Sequence, residues 1–194
     1  MTLFRSGGLN FRRRRKKMKL STAKGVAVWI VEIVIVLLIA FVAVYCAGMK
    51  VTVVGNSMES TISDGSQILV NRFIYNIKSP KSGDVVVFLP NGNEKSHYYV
   101  KRVIGVPGDK VQIKNGLLYV NGELYDMEDT ETIKNAGVAE DEITVGEDEY
   151  FVLGDNRNSS EDSRYANIGN VKKSDIKGKA WYITRPFKKM GRIK

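Results

Sequence analysis

Three short segments carry the residues that could do chemistry. The first is Gly55-Asn-Ser-Met-Glu-Ser-Thr61. Gly and Asn favour a turn that would expose the Ser57 hydroxyl, although serine is common in turns of every kind. A serine attacks a carbonyl only when a base takes its proton. The second segment is Tyr98-Tyr-Val-Lys-Arg-Val-Ile-Gly-Val-Pro-Gly-Asp109, in which Lys101 and Arg102 adjoin within an apolar run. Side chains alternate across a strand, so in either register one of the two points to the more buried face. A lysine forced there loses solvation, which disfavours its charged form and makes it a possible general base. The competing arrangement is an edge strand with both cations snorkelling to water. The third segment is Gly154-Asp-Asn-Arg-Asn-Ser-Ser-Glu-Asp-Ser-Arg164. It reads either as a solvated loop or as a buried network of carboxylates and guanidinium groups.

The chain has one histidine, His97, and one cysteine, Cys46. That excludes an intramolecular disulfide framework and the usual Cys/His zinc sites. A Ser-His-Asp triad would have to use His97. His97 stands at the polar start of its strand and reads as a surface residue. Cys46 lies at the end of an apolar stretch and reads as a small apolar residue there. No thiol is then left for an outer site.

These segments must be positioned by the elements around them. Short β-branched or aromatic runs recur at 51–54, 67–73, 84–89, 98–106, 111–113, 117–120, 150–153 and 180–184, separated by turn residues. Asn115-Gly116 and Asn121-Gly122 are hairpin signals flanking the run 117–120. No long helical period appears after residue 48, so residues 49–194 read as one all-β domain. Within it, residues 123–149 hold eleven acids against Lys134 alone. That stretch reads as a solvated insertion between strands, without the spacing of a calcium loop.

The chain has 194 residues and a formal charge of +9. Nine cations and no acid stand in residues 1–25, and the remainder carries 21 of each sign. The basicity therefore belongs to a tail. The run Val26 to Gly48 follows, 23 residues with Glu32 as its one charge. As a helix it spans about 34 Å, enough to cross a hydrocarbon core. It is too long for the apolar region of a cleavable signal peptide, and Tyr45 before Cys46 does not fit a lipoprotein cleavage site. The reading is an uncleaved signal anchor, with residues 1–25 in the cytoplasm and 49–194 outside the cell membrane. Ser57 lies nine residues past Gly48, within about 30 Å of chain, so it must stay close to the outer membrane face.

Taken in order, the anchor and the segments GNSMEST (55–61), DGSQILVN (64–71), YVKRVIGVPGD (99–109) and GDNRNSSEDSR (154–164) resemble bacterial type I signal peptidase. The resemblance covers the anchor and nearly all of the outer domain, and is weakest across the acidic stretch. It implies a mainly β, antiparallel and barrel-like catalytic domain on a single N-terminal transmembrane helix. It implies a serine endopeptidase with a Ser–Lys dyad, Ser57 as nucleophile and Lys101 as general base. Met58 would pack beside the nucleophile. Ser160 would supply a hydroxyl to the catalytic lysine, and Asp162 and Arg164 would form a supporting pair behind it. Asp155, Asn156 and Arg157 would begin that loop. The implied partners are membrane lipid and secretory preproteins with small residues before the cut, with no nucleic acid, metal or cofactor.

Two departures stand out. Ser60 occupies the place where the family usually carries proline, which would stiffen the turn. Gly55 stands where some relatives carry a serine that helps to stabilise the oxyanion, leaving backbone N–H groups, chiefly that of Ser57. A non-catalytic relative that binds precursors or envelope partners is the competing reading. A basic-tailed DNA-binding protein would require residues 26–48 to be soluble, and a self-cleaving Ser–Lys repressor would lack the span.

Overall fold

The computed structural model describes residues 20–125 and 132–193. The expected basic tail lies outside the described residues as far as residue 19, and so do residues 126–131 of the acidic stretch. The chain divides into a unit ending at Phe41 and a unit beginning at Val42. In the first, helix α1 begins at Leu20, and it continues to Ala47. Its 22 residues Lys24–Tyr45 are exposed throughout, and are long and apolar enough to cross a bilayer. A helix that is apolar on every side fits a single membrane span. It starts six residues before the expected span 26–48 and stops one short of it.

The second unit is mainly β. Its larger sheet contains β1 (Met49–Thr52), β2 (Gln67–Asn71), β3 (Val85–Phe88), β4 (Tyr99–Gly105), β9 (Glu149–Leu153), β10 (Val171–Lys172), β11 (Ile176–Arg185) and β12 (Gly191–Arg192). The order across it is β1-β2-β11-β3-β4-β9-β10, with β12 added on β11. The smaller sheet runs β7 (Glu123–Leu124), β6 (Leu117–Val120), β5 (Lys110–Lys114), β8 (Ile143–Thr144). Every strand pair among the described residues is antiparallel.

The larger sheet curls into a half-barrel because its apolar residues converge. Val51, Ile68, Val70, Ala180, Val85, Val87 and Val100 come from five successive strands and share one buried cluster. β2 alternates, with Ile68 and Val70 buried, as a strand with one wet face should. β3 (Val-Val-Val-Phe) is buried at all four positions because the other face is covered too. There Val86 and Phe88 join Val103, Tyr150 and Val152 in a second cluster.

The two Asn-Gly pairs do turn the hairpins β5–β6 and β6–β7. Asn115, Gly116, Asn121 and Gly122 all have positive φ, at 51°, 75°, 54° and 81°. A two-residue hairpin turn needs that backbone, and Asn-Gly tolerates it. The acidic stretch differs from its reading. Its strands β7 and β8 pair in the smaller sheet. Ile133, Ala139 and Val145 are buried against Ile104, Val111 and Phe151. Few apolar residues suffice when each one is spent on the same core.

Candidate active site

Ser57 sits in the turn after β1, where the chain reverses toward β2. Three backbone ties hold that turn. The Gly55 N–H donates to Asp64 Oδ1 at 2.8 Å, the Asn156 side-chain amide to the Asn56 carbonyl at 3.1 Å, and the Asn156 N–H to the Ser57 carbonyl at 3.0 Å. Met58 and Ile62 follow, fully buried in the core of the half-barrel. They pin the segment from inside, which leaves Ser57 half-buried at the surface. Met58 follows Ser57 directly in the chain, with its own side chain in the core.

Lys101 comes from β4. That strand lies between β3 and β9, so it is an interior strand and not an edge. Neighbouring side chains on it face opposite ways, and both faces are covered. Lys101 and Arg102 are 4% and 5% exposed. Expecting only one of them to be buried was too weak. Each cation found a partner. Arg102 forms a two-pronged pair with Asp155, Nε to Oδ1 at 2.8 Å and Nη2 to Oδ2 at 2.7 Å, and Thr61 Oγ1 donates to Oδ2 of the same carboxylate at 2.6 Å. Lys101 Nζ donates to Ser57 Oγ at 2.7 Å. The Tyr99 ring lies 5.5 Å from the same Nζ.

The lysine is depressed from its ordinary value of 10.5 to about 8. Burial is the largest cause, opposed chiefly by the carboxylates of Asp162 and Glu161. A neutral amine is therefore within reach near neutral pH, in contact with the hydroxyl whose proton it would take.

The third segment is the buried network and not the solvated loop. Arg164 grips Asp162, with Nε to Oδ1 at 2.8 Å and Nη2 to Oδ2 at 2.9 Å, and both residues are buried. Arg164 also donates to the carbonyls of Arg157 at 2.6 Å and Asn135 at 3.0 Å. Asp162 Oδ2 accepts the Gly154 N–H at 3.1 Å. Gly154 has no room for a side chain, since a methyl there would overlap Ser160 Oγ and the Ser57 carbonyl. Ser160 is buried, but its hydroxyl has no hydrogen-bond partner. Among the described residues it makes no bond to Lys101, whose Nζ donates to Ser57 Oγ.

Ser57 and Lys101 line an open groove of about 310 Å3, together with Val53, Val54, His97 and Glu161. His97 is exposed at this groove. The partner of the Ser57 hydroxyl is Lys101. Among the described residues, no group of three or more His, Cys, Asp or Glu side chains could hold a metal ion. Sequence reasoning missed Asn156 as a clamp on the Ser57 turn and Asp155 as the partner of Arg102. The distances in sequence are 100 residues from Asn156 to Asn56 and 53 from Arg102 to Asp155. No local signal joins such pairs.

Ser60, at the position of the usual proline, has φ +85°. A proline ring holds φ near −65°. The missing proline is therefore not simply lost rigidity, since this backbone excludes the ring.

Residues 26–184 match the family model described as signal peptidase, peptidase S26. A signal peptidase I P from Bacillus subtilis subsp. natto is 39% identical over 148 residues, covering 72% of this chain and 78% of its own. A signal peptidase I from Bacillus amyloliquefaciens is 34% identical over 189 residues, covering 93% of this chain and 100% of its own. A crystal structure of a signal peptidase I from Enterococcus faecalis V583 aligns with a TM-score of 0.43 at 32% identity, over 53% of this chain and 97% of that one.

Proposed function

Because the chain belongs to the signal peptidase family, peptidase S26, and is thus a serine peptidase, we propose that it removes N-terminal signal peptides from secreted preproteins through a Ser57–Lys101 dyad. The observation that carries the mechanism is the 2.7 Å contact between a buried, easily neutralised amine and the serine hydroxyl.

Neutral Lys101 accepts the proton of Ser57 Oγ as that oxygen attacks the scissile carbonyl carbon. The carbonyl becomes a tetrahedral oxyanion, stabilised by backbone donors at the turn, chiefly the Ser57 N–H. When the carbon–nitrogen bond breaks, the Lys101 ammonium returns its proton to the leaving amine. The signal peptide is left as an ester on Ser57. Water then gives its proton to Lys101 and attacks the ester, and Lys101 passes that proton to Ser57 Oγ as the acyl carbon–oxygen bond breaks, which restores the free serine and the neutral amine. Asp162, Arg164 and Ser160 act through position, by holding the loop that packs against Gly154 and Ser57.

The single apolar helix supports anchoring in the cell membrane, and the tail's nine cations support a cytoplasmic N-terminus with the groove outside. Substrates would carry small residues before the cut, and that cut would lie near the membrane surface. The test is processing of a model precursor in detergent. Wild-type cleavage is expected, and Ser57→Ala and Lys101→Ala should each abolish it while the domain stays folded. Full activity in either variant would remove the dyad. Failure of the wild type on every precursor would favour a non-catalytic binding protein. Protease accessibility of residues 49–194 from outside intact cells tests the orientation.

A further inference from the structure

The groove holds one carboxylate that the acyl-transfer steps leave idle. Among the described residues lining it, the ionisable groups besides the tyrosines are Lys101, His97 and Glu161. Glu161 is exposed, yet it is held in place. Its Oε2 accepts the Tyr99 hydroxyl at 3.1 Å and its Oε1 accepts the Asn167 amide at 2.8 Å. Both donors are neutral. Among the described residues, no Lys, Arg or His lies within ion-pair distance of it.

That arrangement is unusual for a surface glutamate. Freezing a long side chain costs rotamer entropy. Neutral donors bring no opposing charge to the carboxylate and leave lone pairs of both oxygens open. Lys101 must be neutral to act as a base, so in the working enzyme it does not cancel that charge. A peptide lying in the groove would pass a fixed anion within the same cavity as Ser57.

We propose that Glu161 is a specificity-determining residue, receiving the cationic side chain of a lysine or arginine that flanks the cleavage site of the precursor. This rests on the precursor-cleaving reading above. It adds a charge preference to the demand for small residues before the cut. The Tyr99 hydroxyl and Asn167 amide are the positioning groups of this subsite.

The experiment uses the full-length enzyme in detergent and matched peptides around one cleavable core. Lys, Gln or Glu is placed in turn at each of the three positions on either side of the cut. At one or more positions the wild type is expected to favour Lys over Glu by roughly three- to fivefold in kcat/KM, the scale of a partly exposed ion pair. The ratio should fall to about one in Glu161→Gln and reverse in Glu161→Lys. It should shrink in Tyr99→Phe and at high salt. A ratio cancels any uniform change in Lys101 basicity caused by losing the neighbouring charge. Equal rates on Lys and Glu peptides at every position, or a preference that survives Glu161→Gln, would overturn the subsite and leave the protease reading intact. No cleavage of any peptide by the wild type, or cleavage unaffected by Ser57→Ala, would overturn that reading and the subsite together.

Discussion

Asn156 is tied to Ser57 through the backbone and to the residue before it through its side chain. Its N–H meets the Ser57 carbonyl at 3.0 Å and its amide meets the Asn56 carbonyl at 3.1 Å. The loop carrying Asp162 and Arg164 thereby helps to fix the position of Ser57. Asn156→Ala removes only the side-chain half of this clamp. The expected result is a kcat lowered roughly tenfold with little change in KM, since small displacements of a reacting group are costly. Thermal stability should fall by about 1 kcal/mol, the worth of one such bond. Steady-state kinetics alongside thermal denaturation would check both.

Lys101 as the proposed base predicts a pH dependence with one direction. With the amine depressed to about 8, kcat/KM should rise with pH and level off above about 8. A log kcat/KM profile with no ascending limb in that region would refute the assignment.

The same depression has an opposite cost. The folded value lies below the ordinary 10.5. Below about pH 8 the folded state therefore carries a buried ammonium. That penalty is complete below about 8 and is relieved as pH rises toward 10.5. Lys101→Met should be inactive yet more stable than wild type at pH 7, by about 1–3 kcal/mol. A denaturant midpoint below that of the wild type would contradict this.

Gly154 is the narrowest point of the site. A methyl there meets Ser160 Oγ on one side and the Ser57 carbonyl on the other, neither able to move without the loop. Gly154→Ala should cost about 1–3 kcal/mol of stability from overpacking. It should lower kcat at least about a hundredfold, because it pushes Ser57 away from Lys101. Retained activity at wild-type level would show that the loop yields freely.

Ser60 offers a test against intuition. Restoring proline at this position should destabilise the protein, because φ +85° is closed to the ring. Ser60→Gly should be neutral or stabilising by up to about 1 kcal/mol, since glycine accepts that backbone without strain. Comparing the thermal midpoints of the two variants with wild type decides the matter.

Much of this was legible in one dimension. The strand 85–88 announces itself by β-branched content, and 117–120 by the Asn-Gly turns on either side of it, whose backbone needs positive φ. Ser57 and Lys101 could be picked out as a candidate dyad only because their segments, taken in order, resemble those of a known family. What could not be read was pairing across the fold. Burial of both Lys101 and Arg102 depends on β4 being interior, which only the strand order decides. The two-residue strands β7, β8, β10 and β12 are too short to be read from propensity and exist because a neighbour offers a ladder. The acidic stretch misled because composition counts residues, whereas Ile133, Ala139 and Val145 act by where they land.

Strand order also has a consequence in time. β2, on whose side the Ser57 turn hangs, and β3–β4, which carries Lys101, do not touch as strands. β11 lies between them. It spans Ile176–Arg185, long after both residues of the dyad have been synthesised. Until that strand is inserted, the ladder between β2 and β3 stays open, and the sheet that sets the spacing of Ser57 and Lys101 is incomplete.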